Sequence, residues 1–341
     1  MNTEFKPATP KDAASVILLR DGKIVWARRN PKLSFLGGFH AFPGGKTDPG
    51  DLEIKVANCE DTEMSAMIGC AVREAFEEVG VLLVRGGEKL TKGQRVSLHD
   101  DLISGRSTFA EILDHWGLWI DGQDFKYTGF WTTPQFSPVR FKTRFFVADL
   151  PSKQNPHAAI SELQEIEIVT AREALDRWRR SEVLITPPVL IHLNELVGDA
   201  PMDLKIGNLR KRSDEQNGDI YHIDINPRIA IFPVRTKTLP PATHTNCFIV
   251  GKREFAVIDA ASPFPEEQSN LHGLIDEHLD RGFCCRAIIV SHLHRDHFGG
   301  ESALRDHLRE KYGLKVPILG HRITAADLEG AVAFDGFLEN H

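Results

Sequence analysis

Three glutamates in Arg73-Glu74-Ala-Phe-Glu77-Glu78-Val-Gly80 stand at positions i, i+3 and i+4. On a helix that spacing brings all three carboxylates to one face. Like charges so placed repel. A hard divalent cation removes the repulsion, because Mg2+ takes one or two carboxylates together with waters and phosphate oxygens. A solvated acidic face carries the same E-x-x-E-E pattern; the company here is different, with Pro43-Gly44-Gly45 upstream, Arg73 before the first glutamate and Gly80-Val81 after the last. A second cluster is His292-x-His294-x-Asp296-His297. Two imidazoles two residues apart on an extended turn can share one ion, while Asp296 and His297 face a second. That donor set suits Zn2+ or Fe at neutral pH.

The glutamates need a helix, and apolar Ala66, Met67, Cys70, Ala71, Ala75 and Phe76 recur at helical spacing over 65–79. Gly80 stops that helix, and Val81-Leu-Leu-Val84 reads as a buried strand. Upstream, Phe35 to Gly45 is too glycine-rich for a helix and leaves backbone amides bare; Asp48 to Glu63 reads as an acidic loop. Two β-rich runs around Asp21-Gly22 predict a hairpin. Further strands are predicted over 128–133, 144–148 and 162–169, and helices over 106–119, 171–180 and 187–196. Gly198 to Gly218 is polar and glycine-punctuated, as a domain boundary would be. Beyond it, strands at 229–232, 247–250 and 255–259 precede a helix over 265–281. A strand at 287–291 then runs straight into the histidine cluster, and a last one is predicted at 316–319. Strand–helix alternation of this kind argues an α/β layer. The expected organisation is a first domain over 10–200, a linker over 201–220 and a second domain over 221–341. Trp116, Trp119 and Trp131 read as core or wall residues, Arg177–Arg180 as a basic helix end, Cys284-Cys285 as buried thiols and His321 as a turn residue.

The composition is that of an ordinary globular chain: 341 residues, 41% hydrophobic and 26% charged. With 41 basic against 48 acidic residues the net charge is −7, which argues against a non-specific nucleic-acid binder. Five cysteines without a C-x-x-C pair encode neither a disulfide framework nor a zinc ribbon, so reduced thiols are expected. No apolar run approaches the ~20 residues of a membrane span, and Met1 to Lys11 does not read as a signal peptide. The expected setting is cytoplasmic, without a membrane or nucleic-acid partner.

The run Ala71 to Leu83, with Pro43-Gly44-Gly45 before it, resembles the Nudix box, G-x5-E-x7-R-E-U-x-E-E-x-G-U. Counted back from Arg73, Ser65 stands where the first Glu of the box belongs, so that residue has no counterpart. The inserted form A-V-R-E-A-F-E-E, with F-L-G-G-F-H-A-F-P-G-G upstream, Trp131-Thr-Thr-Pro134, Arg144-Phe-Phe146 and Leu184-Ile-Thr-Pro-Pro188, is similar to the peroxisomal coenzyme A diphosphatase branch. The resemblance implies an α/β/α sandwich with a mixed sheet and Mg2+- or Mn2+-dependent hydrolysis of a small-molecule diphosphate, with coenzyme A or acyl-coenzyme A as substrate. It implies metal ligation by Glu74, Glu77 and Glu78, orientation of a box carboxylate by Arg73, and phosphate approach at Gly44 and Gly45. His292, His294, Asp296 and His297, together with Thr245-Asn246 and Val257-Ile-Asp259, resemble the metallo-β-lactamase fold, and more nearly its glyoxalase-II-like thioesterases. That implies a partial αββα layer and, as an alternative activity, a Zn2+ thioesterase or ester hydrolase. The later ligands of that fold have no counterpart after His297, so the second domain is expected to be incomplete, and either inactive as it stands or part of a longer protein. A Nudix-fold binding module without turnover is a third possibility.

Overall fold

Asp21 and Gly22 both adopt positive φ, 52° and 72°, the backbone that a two-residue primed turn requires. They join β1 (Lys11–Arg20) to β2 (Lys23–Arg29) as the antiparallel hairpin the sequence predicts. The computed structural model describes residues 6–34, 36–159, 162–240, 242–328 and 330–339. Phe35 of the glycine-rich stretch and Met1–Phe5 of the segment tested against a signal peptide lie outside the described residues. The chain divides into one unit of Ala8–Ile220 and another built on the residues from Tyr221 onward. Among the described residues no helix is long and apolar enough to cross a membrane.

In the first unit the remaining elements are β3 (Phe39–Ala41), β4 (Gly44–Lys46), β5 (Val56–Ala57), α1 (Thr62–Val79), α2 (Lys92–Ile103), α3 (Phe109–Trp116) and β6 (Ile120–Asp121). They continue with β7 (Lys126–Thr132), β8 (Phe141–Asp149), β9 (Leu163–Thr170), α4 (Ala171–Arg179), β10 (Leu184–Ile185), α5 (Pro187–Leu196) and α6 (Met202–Glu215). The main sheet runs β10-β3-β2-β1-β8-β7, with β4 paired to β1 and β9 to β2. Successive residues of β1 bury opposite faces, as the strand period demands. Val16 and Leu18 pack in the core that holds Ala71, Ala75 and Phe76 of α1. Ile17 packs with Leu175, Leu190, Leu193 and Leu209 of α4, α5 and α6. The mixed sheet is thus the middle layer of an α/β/α sandwich, and Gly44-Gly45 lies on it beside α1.

Several local expectations change. The polar stretch 201–220 is not a linker: α6 occupies most of it and belongs to the first unit. Two of its apolar residues, Ile206 and Leu209, are buried, while Leu204 is exposed. Ser213 Oγ accepts from Phe130 N at 2.9 Å and donates to Phe130 O at 2.9 Å, stitching the helix to β7. Val81, Leu82 and Leu83 are buried and Val84 half-buried, but the run is not a strand, because side-chain and loop groups take the place of a ladder partner. Helix α2, mostly polar, carries too weak a periodicity to be seen in the sequence. Trp131 is buried as expected, whereas Trp116 and Trp119 are exposed. Cys285 is buried and Cys284 half-buried.

The second unit contains β11 (Ile223–Asn226), β12 (Ile229–Arg235), β13 (His244–Gly251), β14 (Glu254–Ile258), α7 (Pro265–Asp280), β15 (Cys284–Val290), α8 (Glu301–Tyr312), β16 (Ile318–His321), α9 (Arg322–Asp327) and β17 (Gly336–Leu338). Its sheet follows chain order from β11 to β17, antiparallel through β14 and parallel afterwards. Helices α7 and α8 make the crossovers that parallel pairs need. Val257, Ile288 and Ile318 of the sheet pack against Ile275 and Leu304 of these helices. His321 caps α9, its ring accepting from Ile323 N, in keeping with the structural role expected of it.

Candidate functional site

Helix α1 begins on Asp61, whose carboxylate accepts from Glu63 N and Met64 N, and ends on Gly80 at φ 66°. Its last turns carry the glutamates. Arg73 Nη1 donates to Glu74 Oε1 at 2.9 Å and to Glu77 Oε2 at 3.0 Å. Glu78, 3% exposed, turns toward the sheet, where its Oε2 accepts from Gly44 N at 2.8 Å. The spacing in the sequence therefore does bring the three carboxylates, Arg73 and the glycine turn into one place.

The glycines are needed there for space. Gly44 and Gly45 pair with Ser15 and Ala14 of β1. A Cβ at Gly44 would lie 2.4 Å from Ala14 O, and one at Gly45 would lie 2.5 Å from Glu74 Oε1. Only glycine lets the backbone pass this close to both the sheet and the Glu74 carboxylate.

Asp51 is the residue that the sequence reading missed. It is 1% exposed and grips Arg73 with both oxygens, Nε to Oδ1 at 2.7 Å and Nη2 to Oδ2 at 3.1 Å. It sits in a short 3-10 turn, Pro49–Glu53, closed by reciprocal hydrogen bonds between Asp48 and Asp51. The absence of a first acidic residue in the box is therefore corrected. Asp51 follows Gly45 by the G-x5-acid spacing, and the extra residues fall between it and Arg73. Reading forward from the glycine, rather than back from Arg73, would have found it.

Electrostatics at the cluster follow from burial. It raises the Glu74 carboxyl to about 7 against the pull of Arg73, and raises Glu77 against the same pull. Burial and then the Glu74 charge push Glu78 well above the usual carboxylate range, against the Gly44 amide and the Arg29 charge. Burial on its own would lower Arg73; its bonds to Asp51 and the charges of Glu74, Asp51 and Glu77 outweigh that and raise it. Four carboxylates thus converge where one guanidinium supplies the direct ion pairs. A hard divalent cation fits that excess of negative oxygen donors.

In the second unit, His292, His294 and His297 come together. His292 Nε2 and His294 Nδ1 are 3.1 Å apart, and the His292 and His297 ring centroids are 4.0 Å apart. Asp259, buried and held at φ 59°, accepts from Ser291 N at 2.8 Å, Ser291 Oγ at 2.6 Å and His297 Nδ1 at 2.8 Å. Among the described residues, Asp259, His292 and His297 are a group whose ligand atoms all lie within 4.8 Å of one another. Asp296, outside that group, has its Oδ2 3.9 Å from His297 Nε2. Because the Asp259 bond uses Nδ1, Nε2 is the His297 nitrogen left for an ion.

A family description, the NUDT19 Nudix domain, matches residues 58–196, which include α1 and its three glutamates. The chain carries a Nudix hydrolase domain. Nudix hydrolases act on pyrophosphate bonds of acid anhydrides in small-molecule diphosphates and generally use divalent metals; this chain is an enzyme of that class. A Caenorhabditis elegans protein provisionally named nudix hydrolase 7 is 25% identical over 256 residues, 70% of this chain and 72% of that protein. The acyl-coenzyme A diphosphatase NUDT19 of Xenopus laevis is 23% identical over 239 residues, 54% of this chain and 62% of that protein. The crystal structure of a Nudix hydrolase from Alicyclobacillus acidocaldarius superposes with a TM-score of 0.50 at 29% identity, covering 59% of this chain and 97% of that one. A metallo-β-lactamase from Pontibacter korlensis gives a TM-score of 0.28 at 18% identity; 35% of this chain spans about half, 52%, of that one.

Proposed function

We propose that the Nudix domain hydrolyses the diphosphate linkage of a nucleoside-diphosphate-linked substrate, with coenzyme A or acyl-coenzyme A as the preferred class. The observation that carries this reading is the convergence of Glu74, Glu77 and Glu78 beside the Gly44-Gly45 backbone. These glutamates are the residues that would hold Mg2+ or Mn2+. When bound, such an ion supplies Lewis-acid polarisation of the diphosphate and a water of lowered pKa. Gly44 and Gly45, paired to β1, let the turn lie against the carboxylates, with Gly44 N holding Glu78. Arg73 acts as a positioning residue, fixing Glu74 and Glu77 while Asp51 fixes Arg73. The substrate preference draws support from the name of the Xenopus relative and from the aromatic–glycine stretch before the box, suited to a long, mostly apolar pantetheine arm.

The test compares kcat/KM for coenzyme A, NADH, ADP-ribose and a nucleoside triphosphate under the same Mg2+. Coenzyme A is expected to rank first; ranking last would overturn the substrate class. Glu77→Gln should lower kcat by a factor of tens or more, and an unchanged rate would overturn the metal site. A second reading rests on the Asp259–His292–His297 cluster: a zinc-type ester or thioester hydrolase centre in the second unit. A thioesterase activity that is lost in His292→Ala would support it.

A further inference from the structure

The C-terminal end of α1 is a poor place for what it carries. Glu74, Glu77 and Glu78 repel one another, stand at the negative end of the helix dipole, and have no basic residue in the last turn to offset them. A helix also ends with four carbonyls that lack partners within the helix, and its terminal turn frays when these go unmet. Here outside groups meet them. Gly80 N reaches Ala75 O and Phe76 O. The next three carbonyls are each taken from elsewhere in the fold: Glu77 O by His99 Nε2 of α2 at 3.0 Å, Glu78 O by Ala159 N at 3.0 Å, and Val79 O by His157 N at 3.1 Å. A carbonyl only accepts, so His99 carries its proton on Nε2.

The strap that supplies two of these donors, Pro151–Ala159, is itself anchored. Arg20 Nη2 donates to Pro151 O at 2.6 Å and also to Gln154 O. Gln154 brackets the chain just past the helix, with Oε1 accepting from Leu82 N at 2.8 Å and Nε2 donating to Leu82 O at 2.9 Å. The His157 ring lies so close over Gly80 that a Cβ there would meet its Cε1 at 2.4 Å. On the other side, the His99 ring meets Phe76 edge-on with centroids 5.3 Å apart.

We infer that His99 and the strap Pro151–Ala159 form a two-sided clamp that holds Glu77 and Glu78 in register with Glu74, making His99 and Gln154 positioning residues for the cation site. This rests on the metal-binding reading of the glutamates. Without the clamp the last turn is free to unwind, and each residue that leaves the helix turns its carboxylate away from the shared face. The clamp thus acts on affinity for the ion more than on the stability of the fold.

The experiment is Mn2+ titration of the full chain, read by the EPR signal of free Mn2+. The difference between wild type and Glu77→Gln isolates the glutamate site from the histidine cluster. His99→Ala and Gln154→Ala should each weaken Mn2+ binding at that site by about tenfold or more. His99→Gln, whose amide can still donate to Glu77 O, should restore binding to within about threefold of wild type. Ala variants that melt at a lower temperature yet bind Mn2+ as wild type does would overturn the clamp and leave plain helix capping. If His99→Ala fails to fold, Gln154→Ala decides by the same criterion. If Glu77→Gln binds Mn2+ as tightly as wild type, the metal reading falls, and the clamp with it.

Discussion

Asp51→Asn tests whether the box depends on an acid supplied from outside its helix. Asp51 and Arg73 side chains are 1% and 12% exposed, and their two contacts are 2.7 and 3.1 Å. Removing one partner of a buried pair costs about 3–5 kcal/mol, because the other charge stays buried without its match. An Asn amide keeps one acceptor but sets an NH2 against the guanidinium, so one contact becomes donor against donor. Arg73 still keeps Glu74, Glu77 and Lys46 O, which places the loss near the lower bound, about 3 kcal/mol. For a unit of this size that corresponds to a fall in Tm of about 6–12 °C. Calorimetry of the full chain reads it as a downward shift of the transition that responds to Mn2+, since a ligand that binds only the folded unit moves that unit's transition. Asp48→Asn is the control. It lies in the same 3-10 turn, makes no contact with Arg73 among the hydrogen bonds described, and keeps an N-cap residue of equal quality. A fall below about 2 °C in Asp51→Asn, or an equal fall in Asp48→Asn, would refute the argument that Asp51 anchors Arg73.

Two other outcomes follow from local geometry. Gly45→Ala sets its Cβ against the Glu74 carboxylate, the movable end of a side chain. Its Tm should therefore change by no more than about 3 °C while kcat falls by about tenfold or more, and a full-rate variant would show that Glu74 need not sit against the turn. His192 is wholly buried; its Nδ1 donates to Pro188 O at 2.7 Å and its Nε2 faces the Thr128 hydroxyl at 2.9 Å. Burial holds it down to about 4 from 6.5, so it is neutral in the folded chain, while the unfolded chain takes up a proton as pH falls below 6.5. Its contribution to stability is complete above pH 6.5 and is lost as pH falls toward 4, about 3 kcal/mol in all. Urea unfolding from pH 7 to 4 should show that slope, and His192→Gln should flatten it; an equally steep slope in the variant would assign it to other groups.

What could be read directly from the sequence is what local backbone geometry dictates. Three glutamates at i, i+3 and i+4 face one way in any helix, Gly80 ends that helix at positive φ, and His292, His294 and His297 lie on one short turn whatever the rest of the chain does. Two neighbouring glycines likewise announce a place where backbone comes close to something, and alternating apolar residues announce the strands that carry it. The tertiary structure decided what these groups are tied to. Asp51 reaches Arg73 across 22 positions, His99 reaches Glu77 across 22, Ala159 reaches Glu78 O from another loop, and Asp259 reaches His297 across 38. Helix α6, polar enough to pass for a linker, is a helix of the first unit because Leu209 and Ser213 find β7. Periodicity reports which face of an element a residue occupies. It carries no record of which distant element that face will meet, because that choice is made by the packing of the whole core and the pairing of every buried polar group.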